Sequence, residues 1–130
     1  MLLDTKLLDE ISAEAQTSER LYMNRNLHDS LDAKAQRILN ALEPGTILPI
    51  HRHSHTAETY ILLRGWIDVM FYDDSGAESA RFALDPQNGR YGVHIPAGQW
   101  HTREVLKSGS VIFEVKYGPH TPLEPEDILY

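Results

Sequence analysis

The stretch PGTILPIHRHSHTAETYILLRG, residues 44–65, sets His51, His53 and Glu58 into an otherwise apolar, strand-like run. Side chains of a strand alternate faces, so His51 and His53 point the same way about 7 Å apart along the backbone, with Arg52 opposite. The SHTA segment turns the chain. An antiparallel return then carries the Glu58 carboxylate back beside the two imidazoles. Much later, IPAGQWHT puts His101 just after a Pro-Ala-Gly turn, where a separate strand can supply a fourth donor. Imidazoles with a carboxylate are ligands for a divalent transition metal: Fe(II), Mn(II), Ni(II), Cu(II) or Zn(II). Calcium and magnesium want more oxygen. An octahedral ion held by these four groups keeps two positions for water, dioxygen or a chelating substrate, whereas a tetrahedral zinc would be closed. Because imidazoles ligate only when neutral, metal affinity is expected to fall below about pH 6.5.

Other polar residues have weaker reasons to join this set. The chain must turn between His53 and Glu58, so His55 reads as a loop histidine outside the ligand set. Asn24, Asn26 and His28 alternate as pocket-lining strand residues would, although NRNLHDS also fits a polar loop. Tyr60 lies two residues beyond Glu58 on the same strand face and can touch a ligand or the metal's carboxylate, or be core. His94 can orient a ligand or cap a strand, Arg52 reads as a surface or interface charge, and His120 lies in a proline-rich tail with no case for function. Glu114 shares a face with Lys116, opposite Val111, Phe113, Val115 and Tyr117, which read as core. A Glu114 turned instead into the barrel mouth is a candidate base. DDSG at 73–76 is a turn without the ligand pattern of a calcium loop, and no Gly-rich phosphate loop, HExxH or GxSxG stretch is present.

The elements that must hold these residues are short. From 4 to 18, Leu7, Leu8, Ile11 and Ala15 mark one face of an amphipathic helix. From Gly45 on, runs rich in Val, Ile, Tyr and Phe alternate with turn clusters at a spacing of about ten residues, which indicates an all-β sandwich, jelly roll or small barrel. Strands are expected at 60–72, 81–84, 92–95, 100–106 and 111–117. The apolar spacing and alanines of AKAQRILNAL, 33–42, suit a helix while its length also suits a strand. GPHTPLEPEDILY, with its three prolines, should lie over the surface or a partner, with Leu129 and Tyr130 clipping it down. The 130 residues, 42% hydrophobic and 24% charged, make one domain's worth of core. It divides into a helix and extended arm over 1–30, a barrel over 31–118 and a tail over 119–130. A net charge of −7 with no Lys/Arg-rich run argues against nucleic acid as partner. No apolar run reaches 18 residues, and the acidic start is unlike a targeting segment, so no membrane is expected and the cytoplasm is the expected compartment. Without cysteine, any metal must be held by nitrogen and oxygen.

Residues 45–65 fit the first cupin motif, GxxxxxHxHxxxxExxxxxxG, at Gly45, His51, His53, Glu58 and Gly65. The second, GxxxxxPxGxxHxxxN, is met at Pro96, Gly98 and His101, with Arg90 and Val105 at its outer positions. More narrowly, NRNLHDS, QRILNALEPGT, the HRH and ET pairs, GVHIPAGQWHT and FEVKYGP resemble the WbuC family of cupin-fold metalloproteins, with His94 where an acidic residue is expected. The resemblance implies a single cupin jelly-roll barrel with a short N-terminal helix, residues 36–42 as a strand, and a bound metal on His51, His53, Glu58 and His101. It also implies a bacterial surface-polysaccharide setting, hence a sugar-like small molecule as ligand, and a homodimer. Three roles follow: a metal-dependent isomerase, epimerase or oxygenase; a sugar-binding module without turnover; or a purely structural metal site.

Overall fold

The computed structural model describes all 130 residues. Helix α1 (Thr5–Thr17) opens the chain, capped by Asp4, whose carboxylate accepts from the Leu7 N–H at 3.0 Å. Its buried residues Leu7, Leu8, Ile11 and Ala15 are those of the apolar stripe. Ten strands follow: β1 (Tyr22–Asn26), β2 (Ala35–Leu42), β3 (Ile50–His51), β4 (Glu58–Arg64), β5 (Ile67–Tyr72), β6 (Glu78–Leu84), β7 (Gly92–Ile95), β8 (Trp100–Val105), β9 (Ser110–Tyr117) and β10 (Ile128–Leu129). They form two antiparallel five-stranded sheets, β1-β2-β9-β4-β7 and β10-β3-β8-β5-β6, the two layers of a jelly roll. No helix is long and apolar enough to cross a membrane.

The segment whose period suited a helix is β2, paired with β9 from Ala35↔Tyr117 to Leu42↔Ser110 and with β1 on its other side. Strand partners on both edges outweigh a weak local preference. Its inner face contributes Leu42 to a core of nine buried residues between the sheets, among them Leu62, Ile67, Val69, Ile95, Val105 and Ile112. Its outer face packs Leu39 and Ala41, with Val111, against the helix stripe. Each large aliphatic side chain so buried contributes about 1.5–3 kcal/mol. Arg64 fastens the helix at one corner, donating to Asp9 at 2.7 Å, Ser12 Oγ at 3.0 Å and the Gly109 carbonyl at 2.8 Å.

Three expectations need correction. The strand expected over 60–72 is two, because β4 lies in one sheet and β5 in the other, and the chain crosses between them at Gly65–Trp66. Hydrophobic alternation runs through this corner, so periodicity alone does not reveal it. On β9 the inward face is Ile112 and Glu114, while Phe113 packs toward the helix and Val115 and Tyr117 are exposed. The set 111, 113, 115, 117 is thus the outer face, half covered by α1. In the tail, Ile128 and Leu129 pair with His51 and Ile50, but Tyr130 is fully exposed and clips nothing.

Gly65 shows why a glycine ends the first motif. Its φ is +105°, and a Cβ there would lie 2.1 Å from Ser110 Oγ and 2.6 Å from Ser110 Cα. Gly65→Ala combines backbone strain with a backbone clash and should cost about 3 kcal/mol or more in chemical denaturation. A loss under about 1 kcal/mol would contradict this account of the corner.

Candidate metal centre

The site lies between the inner faces of both sheets. His51 on β3 stands directly opposite His101 on β8, with ring centroids 4.3 Å apart. His53 follows in the loop, its ring 5.3 Å from His51 and 6.1 Å from His101. One nitrogen from each of the three comes within 4.8 Å of the others. Glu58, on β4 of the other sheet, closes the group. One oxygen is 2.9 Å from His53 Nε2, and the other is 3.5 Å from His101 Nε2.

Backbone carbonyls fix the two buried rings. His51 Nδ1–H donates to Pro49 O at 2.9 Å, and His101 Nδ1–H donates to Gln99 O at 2.9 Å, each to the residue two before it. A carbonyl only accepts, so Nδ1 carries a proton, and in the neutral ring Nε2 keeps its lone pair. His53 is held through its carbonyl, which accepts from Gly98 N–H at 2.8 Å in the Pro-Ala-Gly turn, where Gly98 has φ +80°. The second motif therefore supplies His101 and also anchors the first.

Electrostatics favour a neutral His51. Burial and the neighbouring His101 lower the pKa of His51 from 6.5 to about 4. Burial opposes ionisation of Glu58, but the imidazoles of His101 and His53 outweigh it and hold its carboxyl well below the usual range. The Tyr60 phenol donates to Glu58 at 3.0 Å and is kept protonated, its pKa pushed up by burial and then by Glu58 and Glu114. A divalent metal fits these residues. Two tautomers are set for ligation through Nε2, and the buried His101 Nε2 has no hydrogen-bond partner in the protein.

A cavity of about 580 Å³ opens onto His51, His53, Glu58 and Tyr60 and is also lined by Asn24, Asn26, Glu114 and Lys116. Of the remaining sequence candidates, two lie elsewhere. His28 falls beyond the end of β1, where its Nδ1 accepts from Arg37 N–H at 3.1 Å, because the strand stops at Asn26. His94 is on the outer face of β7, exposed and 3.1 Å from Thr59 Oγ1, since the register sets it opposite Thr59 rather than Glu58 or Tyr60. His55 is exposed in the loop. Arg103, Asn40 and His120 line the cavity although the sequence reading passed over them or found no role for them. Arg103 carried one legible signal, being two residues beyond His101 and so on the same strand face.

The tail reaches the site from outside. Asp127 Oδ1 accepts from Ser54 Oγ at 2.7 Å and from Arg52 Nε at 3.3 Å, bracketing His53, while the Arg52 guanidinium lies 4.4 Å over the Trp100 ring.

Two facing antiparallel sheets with a histidine cluster between their inner faces give a jelly roll of the cupin fold. The chain belongs to the family described as "Domain of unknown function (DUF6016)", whose model matches residues 3–84. No curated protein matches it. KdgF from Halomonas sp. is similar in structure, with TM-score 0.63 at 12% identity over 80% of this chain and 85% of that one. BH2720 from Bacillus halodurans has TM-score 0.62 at 19% identity, covering 86% of this chain and 80% of that one. The capsular polysaccharide assembling protein CapF from Staphylococcus aureus has TM-score 0.66 at 16% identity, covering 88% of this chain and 32% of that one. At such identities the likeness is one of fold.

The lowered His51 pKa adds to the acid sensitivity of the metal-free protein. The unfolded residue takes a proton near pH 6.5 and the folded one only near 4. Its contribution to stability is therefore complete above pH 6.5, and roughly 3 kcal/mol is lost as pH falls to about 4. Denaturation of chelator-treated protein at pH 7 and pH 4.5 should show most of this loss, and a flat profile would refute it. Deleting residues 125–130 removes β10 and Asp127 and should weaken metal binding about 10-fold with the barrel still folded, as read by metal titration and circular dichroism.

Proposed function

We propose that this protein is a metal-dependent cupin of the WbuC type that takes a small, oxygen-rich, sugar-like molecule into the cavity beside its metal. The observation that carries the reading is the convergence of His51, His53 and His101, with nitrogens within 4.8 Å of one another, on the buried and unpartnered Nε2 of His101. His51, His53, Glu58 and His101 would hold the ion. A divalent transition metal bound there supplies Lewis acidity toward a carbonyl or hydroxyl oxygen. The protein's own groups orient that chemistry. Pro49 and Gln99 aim two imidazoles, and Tyr60 holds one Glu58 oxygen. Glu114 faces the same cavity, and burial, followed by the nearby Glu58 charge, raises its pKa. Such a carboxyl holds its proton more tightly than a free one and faces the space where a ligand would exchange it.

Support for a sugar as the first class to test comes from the WbuC resemblance of the sequence motifs. The shared fold of CapF, itself a capsular polysaccharide assembling protein, agrees with it. Protein purified without chelator or nickel affinity resin should carry close to one equivalent of a transition metal by elemental analysis. His51→Ala and His101→Ala should lose it, and His55→Ala should keep it. Protein that is metal-free as purified and takes up none of Mn(II), Fe(II), Ni(II) or Zn(II) in titration would overturn the proposal.

A further inference from the structure

Arg103 and Lys116 face the cavity next to the histidine cluster, each with a side chain only 12% exposed. A buried guanidinium normally has its donors satisfied, because leaving them unpaired costs several kcal/mol. The Arg103 guanidinium donates no hydrogen bond within the protein. Its Nε is buried without a partner, its Nη1 stays 3.7 Å from Glu114 Oε1, and its Cζ sits 5.3 Å from the Tyr60 ring centre. Lys116 Nζ comes no nearer than 3.9 Å to Glu58 Oε1. Asn40 is half committed: Nδ2 donates to Glu114 Oε1 at 3.2 Å, while Oδ1 is buried and unpartnered.

The formal charges point the same way. Arg103 and Lys116 balance Glu58 and Glu114, so a divalent ion on the histidines leaves two positive charges uncompensated in the cavity. A planar guanidinium takes a carboxylate through two parallel hydrogen bonds, and an ammonium beside it adds charge. The Asn24 and Asn26 amides farther along the cavity can donate to and accept from hydroxyls.

We propose that the ligand of this cavity is a carboxylate-bearing polyhydroxy compound, an acidic sugar rather than a neutral one, with its carboxylate received by Arg103 and Lys116. This rests on the metal reading above and specifies its ligand.

The test is calorimetric titration of zinc-loaded protein with glucuronate, galacturonate and mannuronate, each against its parent hexose and its uronamide. At least one uronate should bind 10-fold or more tightly than its neutral counterparts. Arg103→Gln should weaken that binding about 10- to 100-fold, as loss of a charge-assisted hydrogen bond does, with zinc content and circular dichroism unchanged. Should that variant misfold, Lys116→Met carries the same expectation. Equal binding of acid and neutral sugars, absence of uronate binding by the zinc-loaded protein, or affinity indifferent to the folded variant would each overturn the inference. Failure to load zinc or any other transition metal would instead strike the metal reading itself.

Discussion

Placing three imidazoles and a carboxylate within a few ångströms of one another, away from water, is the constraint around which the rest of this molecule is arranged. Each group loses hydration, and rings as close as those of His51 and His101 cannot both carry charge without repulsion. The cluster is tolerable because burial and its neighbours keep His51 neutral, because carbonyls two residues upstream satisfy Nδ1 of His51 and His101, and because Glu58 is held from both sides. What remains unsatisfied, the Nε2 of His101, is the kind of lone pair a cation takes up. Ligation would convert an unfavourable burial into the strongest link between the two sheets, since Glu58 belongs to one and His51 and His101 to the other.

That link sits above a conventional core. Along three inner strand faces the residue type changes in one step from aliphatic to polar: Leu62 then Tyr60 and Glu58 on β4, Val105 then Arg103 and His101 on β8, Ile112 then Glu114 and Lys116 on β9. The aliphatic storey fixes strand spacing and register. The polar storey inherits that precision, because side chains two residues apart on a strand share a face and a rigid backbone. Interior charge is thus confined to one end of the barrel, where the cavity meets solvent.

Pieces distant in sequence hold the loop that carries His53, which no ladder supports from within. The Pro-Ala-Gly turn bonds its carbonyl, and the tail brackets it through Asp127 with Arg52 and Ser54. Arg52, turned outward by strand alternation, thereby keeps its neighbour in place.

Much of this was legible in the chain itself. The alternation rule put His51 and His53 on one face, the spacing to Glu58 and the turn before His101 completed a donor set, and apolar spacing found the helix and most strands. Those signals are local, and strand periodicity and turn chemistry act over a few residues. The sheet to which each strand belongs was not legible. This is why 60–72 reads as one strand until Gly65 bends between layers, why the outer face of β9 reads as core, and why His94 and His28 read as pocket residues. Register and layer are set by partners tens of residues away. Only the folded molecule brings Arg103, Lys116 and Asn40 together beside the histidines, because their proximity arises from hydrogen-bonded pairing between strands and leaves no periodic trace in the sequence.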